Sequence, residues 1–216
     1  MGIKYLHTLA GIRSITRTFI SMPQGNDDKT QIHWFVMRDL KRSNAKCRAY
    51  QWLTAHHFEV FTPMKWEVIL CRGKRIRRCV PFMPDLLFVH SSREALDSVV
   101  EATPTLQYRY VRGAASATPM IICEAEMNRF IHAVKAVEEP RYFSPSEVTP
   151  AMLGRRIRVV GGNLDGCEGR LLARRGSRKR HLLVEIPSVL VASVEVEAEY
   201  IELVSESGSE TSKSTH

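Results

Sequence analysis

The sequence predicts a two-part chain: a mixed sandwich of strands and helices, followed by a small all-β barrel. Three observations predict it. Across residues 31–138, apolar segments of two-residue period interleave with segments of helical period. Pro140, Pro145 and Pro150 then punctuate EPRYFSPSEVTP, where extended backbone is favoured over helix. From 151 to 204 only short strand-like segments follow, around a glycine-rich turn.

Residues 1–30 read as a flexible extension. The first 21 form either an amphipathic helix or an over-long start ahead of Met22, and MPQGNDDKTQ is a polar leader. HWFVMRD, His33 to Asp39, is the first strand, rich in β-favouring Trp34, Phe35 and Val36. Asn44 caps a helix predicted over Ala45–His57, with Ala49, Leu53 and His57 sharing one face. Strands follow at Phe58–Thr62 and Trp66–Leu70. The basic turn CRGKRIRR leads on to the strand LLFVH at Leu86–His90. Ser92 opens a helix that presents Ala95, Leu96, Val99 and Val100 to the sheet. After a short strand at Tyr108–Val111, Glu124–Val137 is amphipathic, with Met127, Phe130, Ile131, Val134 and Val137 on one side. This order, β-α-β-β-α-β-α, makes an α+β or an α/β sandwich.

Residues 139–150 are the Pro-rich linker and 151–204 the barrel. Its strands are expected at Arg156–Val160, Glu168–Arg174, His181–Ile186, Val191–Val196 and Tyr200–Val204. Gly161, Gly162, Gly166 and Gly169 between the first two permit positive φ and close strand crossing. The tail 205–216, SESGSETSKSTH, is low-complexity and reads as disordered.

Charge and cysteine usage narrow the function. The chain carries 31 Lys and Arg against 23 Asp and Glu, a net charge of +8, which favours a polyanionic partner. Its five cysteines form no C-x-x-C pair, so neither a disulfide framework nor zinc spacing is indicated, and a reducing cytoplasm fits. No apolar run reaches the roughly 18 residues of a membrane span. The eight histidines lack H-x-x-x-H or H-E-x-x-H spacing, and no nucleophile elbow or phosphate-binding loop occurs. No catalysis, cofactor or metal is therefore expected, and Cys71 and Cys79 read as semi-buried cysteines flanking a hairpin.

Five of the seven residues from Arg72 to Arg78 are basic: Arg72, Lys74, Arg75, Arg77 and Arg78. Like charges packed this closely repel each other, and a phosphate backbone relieves the repulsion. Lys41 and Arg42, at the end of the first strand, extend the same group. A second cluster, Arg174, Arg175, Arg178, Lys179 and Arg180, could meet RNA, a ribosomal protein or solvent.

Taken in order, these segments resemble the NusG family of transcription elongation factors. HWFVM stands where the family has its first-strand Trp-aromatic pair, and PFMPDLLFVH resembles its P-x-F-P-G-Y-x-F-V segment. LQYRYVRG matches the strand before its third helix, and RVVGGNLDGCEGRLL resembles its KOW motif. RGKR, after TPMKWEVIL, resembles the basic hairpin of the operon-specific paralogues of RfaH or UpxY type. Asp85-Leu86 replaces the usual Gly-Tyr, and Asn163-Leu164 the usual Pro-Phe.

The resemblance implies an α+β fold: an NGN domain, mainly an antiparallel four-stranded sheet flanked by helices, then an SH3-like KOW barrel. It implies a monomeric cytoplasmic factor, not an enzyme, that binds RNA polymerase and raises its processivity on specific operons such as surface-polysaccharide clusters. Trp34, Phe35, Phe82, Met83, Pro84 and Leu86 would meet the clamp helices of the largest polymerase subunits, and Ser98 the opposite jaw. The basic hairpin would meet the non-template DNA strand, and the barrel a ribosomal protein. Trp34 and Leu86 face either that surface or the core. A KOW-bearing, ribosome-associated RNA-binding protein is the alternative.

Overall fold

The computed structural model describes residues 29–42, 45–114, 117–172 and 179–204. The expected extension up to residue 28, the Asn44 cap, Arg174, Arg175 and Arg178, and the tail 205–216 lie outside the described residues. In chain order the first half holds β1 (Ile32–Asp39), α1 (Ala49–Ala55), β2 (Glu59–Phe61), β3 (Met64–Cys71), β4 (Lys74–Pro81) and β5 (Leu86–Ser92). It continues with α2 (Arg93–Ala102), β6 (Leu106–Tyr108), β7 (Ile121–Ile122) and α3 (Glu124–Lys135). The second half holds β8 (Arg141–Phe143), β9 (Leu153–Val159), β10 (Glu168–Leu172), β11 (Arg180–Ile186), β12 (Leu190–Val196) and β13 (Ile201–Leu203).

Every pairing between these strands is antiparallel, so the fold is mixed α+β and not a parallel α/β sheet. The first sheet runs β2-β5-β1-β6, and β7 adds a fifth strand on β1 where four were expected. The second runs β13-β9-β10-β11-β12-β8, and β3 with β4 forms a separate two-stranded hairpin.

Trp34, Phe35, Val36 and Met37 are consecutive and all buried. Successive strand residues point to opposite faces, so β1 needs cover on both. On one face Phe35 and Met37 pack with Leu87 and Val89 of β5, Leu53 of α1 and Leu96 of α2. On the other, Trp34, Val36, Leu86 and Phe88 pack with Met127 and Phe130 of α3. That second cluster runs on into Ile157, Leu182, Val184, Ile186 and Val194 of the second sheet, giving the two halves one continuous apolar core. On α3, His132 Nδ1 lies 3.6 Å from the buried Cys167 Sγ.

Two further expectations change. The helix expected from Ala45 is shorter: Arg48 is extended at its N-terminus, and His57, with φ of 64°, stops its continuation. Residues 139–150 are not a free linker. Their Arg141, Tyr142 and Phe143 pair with Ser193, Ala192 and Val191 of β12, and Tyr142 is buried. Ser92 caps α2 as expected, its hydroxyl accepting from the Ala95 N–H at 3.3 Å.

Candidate nucleic-acid and protein interface

The basic run Arg72–Arg78 lies mostly on a strand. Only Arg72 and Gly73 form the turn, with φ of 48° and 77°, as a two-residue hairpin linking right-twisted strands requires. Lys74, Arg75, Arg77 and Arg78 then stand on β4, paired in full register with β3. Alternation splits them: Arg75 and Arg77 face one side of the hairpin, Lys74 and Arg78 the other. All five cations are exposed. Arg78 meets Glu67 at 3.7 Å, and Arg77 pairs with Glu139. Arg72, Lys74 and Arg75 have no acidic partner among the described residues. Cys71 and Cys79 are exposed on this hairpin and not semi-buried. It is too thin to have an inside.

Lys41 and Arg42 follow β1 at the end of the first sheet where β5 begins, since Arg38 pairs with Leu86 there. The hairpin rises from that same end, because β2 leads into β3 and β4 leads into β5. Lys41 Nζ donates to the Cys47 carbonyl at 3.1 Å, while Arg42 is exposed. Together these cations give one end of the sheet a positive field with few acids to offset it.

The segment between the hairpin and β5 holds Phe82, Met83 and Pro84. Phe82 and Met83 are half-buried and Pro84 is exposed. The Phe82 N–H donates to the Pro63 carbonyl at 2.8 Å, which closes the hairpin's base. The Phe82 ring packs on Tyr142 with centroids 5.4 Å apart. Burial lifts the Tyr142 phenol well above its ordinary range, against a hydrogen bond from the Met64 backbone. Trp34, Phe35 and Leu86 do not join this surface: they are 2%, 3% and 1% exposed. Helices α1 and α2 cover one face of their sheet, and α3 with the second sheet covers the other. Ser98 is exposed on α2, its hydroxyl donating to the Ala95 carbonyl at 2.9 Å.

Asp85, which replaces the resemblance's glycine, has a local role. It lies 3.5 Å from both Arg38 and Arg109, and its carbonyl accepts from the Asp39 N–H. Arg48 was not singled out in the sequence, where it is one arginine among many. Its buried guanidinium meets Asp39 at 3.1 Å and donates to the carbonyls of Arg42 and Pro84. It therefore ties the Lys41–Arg42 segment to the Phe82–Pro84 segment.

In the glycine turn, Gly161 has φ of 100°, and a Cβ there would sit 3.0 Å from the Tyr200 ring. Its N–H donates to Asp165 Oδ1 at 2.6 Å. Gly162 and Gly166 complete the corner with positive φ. At Gly169, on β10, a Cβ would lie 2.1 Å from the Leu183 carbonyl oxygen, so only glycine fits that strand crossing.

No protein-family model matches this sequence, and no curated protein matches it. Among solved structures, the chain is similar to one described as "Domain interaction in Thermotoga maritima NusG". The TM-score is 0.41 at 12% identity, over 82% of this chain and 99% of that one. No helix among the described residues is long and apolar enough to cross a membrane.

Proposed function

We propose that the protein is a transcription elongation and antitermination factor of NusG type. It binds RNA polymerase and raises its processivity on specific operons, surface-polysaccharide clusters among them. Its action is clamping, with no chemistry of its own. The observation that carries this reading is a shared location: the basic hairpin, Lys41–Arg42 and the Phe82–Pro84 segment lie together at one end of the first sheet. A protein that grips polymerase beside exposed DNA needs both a phosphate-facing and a protein-facing surface there. The polymerase surface is Phe82, Met83 and Pro84, and the DNA surface is Arg72, Lys74, Arg75, Arg77, Arg78, Lys41 and Arg42.

The test uses the full chain, immobilised, with bacterial RNA polymerase and a pausing template. Retention of polymerase and shortened pauses are expected. Changing all five hairpin cations to serine should abolish the pause effect while polymerase is still retained. A chain that retains no polymerase overturns the reading, and retention of ribosomal RNA in its place selects the ribosome-associated alternative.

A further inference from the structure

One face of the β3–β4 hairpin carries more than charge. Register pairs Trp66 with Cys79, Val68 with Arg77 and Leu70 with Arg75, and directly paired residues share a face. Trp66, Val68 and Leu70 thus form an apolar row along β3, with Arg75 and Arg77 in a basic row roughly 5 Å away on β4. The apolar row is open to solvent: Trp66 is 49% exposed, Val68 66% and Leu70 74%. Side chains this exposed contribute little to holding the hairpin together, so their apolar character is unused in the folded chain. The Arg77 guanidinium lies 4.5 Å from the Trp66 ring centroid and fixes the indole in place. Neither strand puts an acid on this face, since Glu67 lies on the other one with Arg78. Glu139 reaches Arg77 from the segment before β8 and is itself two-thirds exposed, so a phosphate can replace it.

Building on the nucleic-acid reading of this hairpin, we infer that the face is a stacking platform for an unpaired nucleic-acid strand. One base lies on the exposed side of Trp66, its neighbours cover Val68 and Leu70, and the phosphates follow Arg75 and Arg77. Residues two apart on a strand are about 6.8 Å apart, close to the step between nucleotides in an extended single strand. A duplex offers phosphates but keeps its base faces stacked inside, and would leave the apolar row in water. An anionic membrane would also answer both rows. The hairpin's leading end is the charged Arg72-Gly73-Lys74 turn, however, which opposes insertion of the residues behind it.

The test measures binding of the full chain to a labelled oligothymidylate, to its duplex with oligoadenylate, and to phosphatidylserine vesicles. Trp66→Ala should weaken single-strand binding about tenfold, as loss of one stacked base does, and leave duplex binding unchanged. Trp66→Phe should restore most of the affinity. Arg75→Ser with Arg77→Ser should lower the single-strand salt slope by about 1.4. If Trp66→Ala melts early, Val68→Ser with Leu70→Ser takes its place, with a several-fold loss expected. Unchanged single-strand affinity in the apolar-row variants overturns the platform, and if the arginine pair still lowers the slope, the nucleic-acid reading survives it. A wild-type chain that binds neither nucleic acid removes both, and Trp66-dependent vesicle binding alone reassigns the face to membrane.

Discussion

Arg48 and Asp39 concentrate several structural tasks in one buried pair. Asp39 accepts from Arg48 Nε at 3.1 Å, from the Ala49 N–H at 2.9 Å and from the Lys41 N–H at 3.0 Å. Arg48 in turn donates to the carbonyls of Arg42 and Pro84. The end of β1, the start of α1 and the turn before β5 are therefore held by one carboxylate and one guanidinium. Removing one member of such a pair strands a desolvated charge, so Arg48→Ala should cost about 3–5 kcal/mol in urea unfolding. Arg48→Lys should recover only a minor part, because an ammonium cannot reproduce a fork that reaches three acceptors in fixed directions. A loss below about 1 kcal/mol would show that the pair is far better hydrated than its burial indicates.

The second sheet depends on close strand approach at Gly169. A methyl there would meet the Leu183 carbonyl, a backbone atom on the neighbouring strand with no freedom to swing away. Gly169→Ala should therefore lower stability by about 1–3 kcal/mol, read from thermal melting. Elements of this kind were visible in the sequence wherever periodicity was strong. β1, β5, α2 and α3 stand where their apolar spacing put them, within a few residues at the ends. β4 was hidden because Lys74-Arg75-Ile76-Arg77-Arg78 has no apolar alternation, and it is a strand only because the Arg72-Gly73 turn sets it in register with β3. β8 was hidden for a different reason: Arg-Tyr-Phe between prolines becomes a strand through β12, some fifty residues later. Of the candidate interface, the cations were legible as a run of like charge. The placement of Trp34, Phe35 and Leu86 was not, because the pattern of a strand cannot say what covers its second face. Here the cover includes a sheet formed from the far half of the chain.

At the scale of the whole molecule, α3 lies between the two sheets and carries a partly buried carboxylate in its first turn. Burial raises the Glu126 carboxyl above its ordinary range; Arg129 opposes the shift and Glu185 of β11 adds to it. An acid raised by folding contributes stability that is fully present below its unfolded pKa and is lost as pH rises through the folded value. Glu126→Gln, neutral throughout, should therefore melt higher than the wild type at pH 7, with the gap closing toward pH 4. An equal gap at both pH values would mean that Glu126 acts through packing and not through its charge. The continuous core has a further consequence, during synthesis. α3 is complete at Lys135, whereas β12, which it packs against, ends only at Val196. At about 5–20 residues per second, the ribosome needs some seconds to supply those strands. Through that interval the emerging chain carries an uncovered apolar flank, and a holding chaperone would find its substrate there.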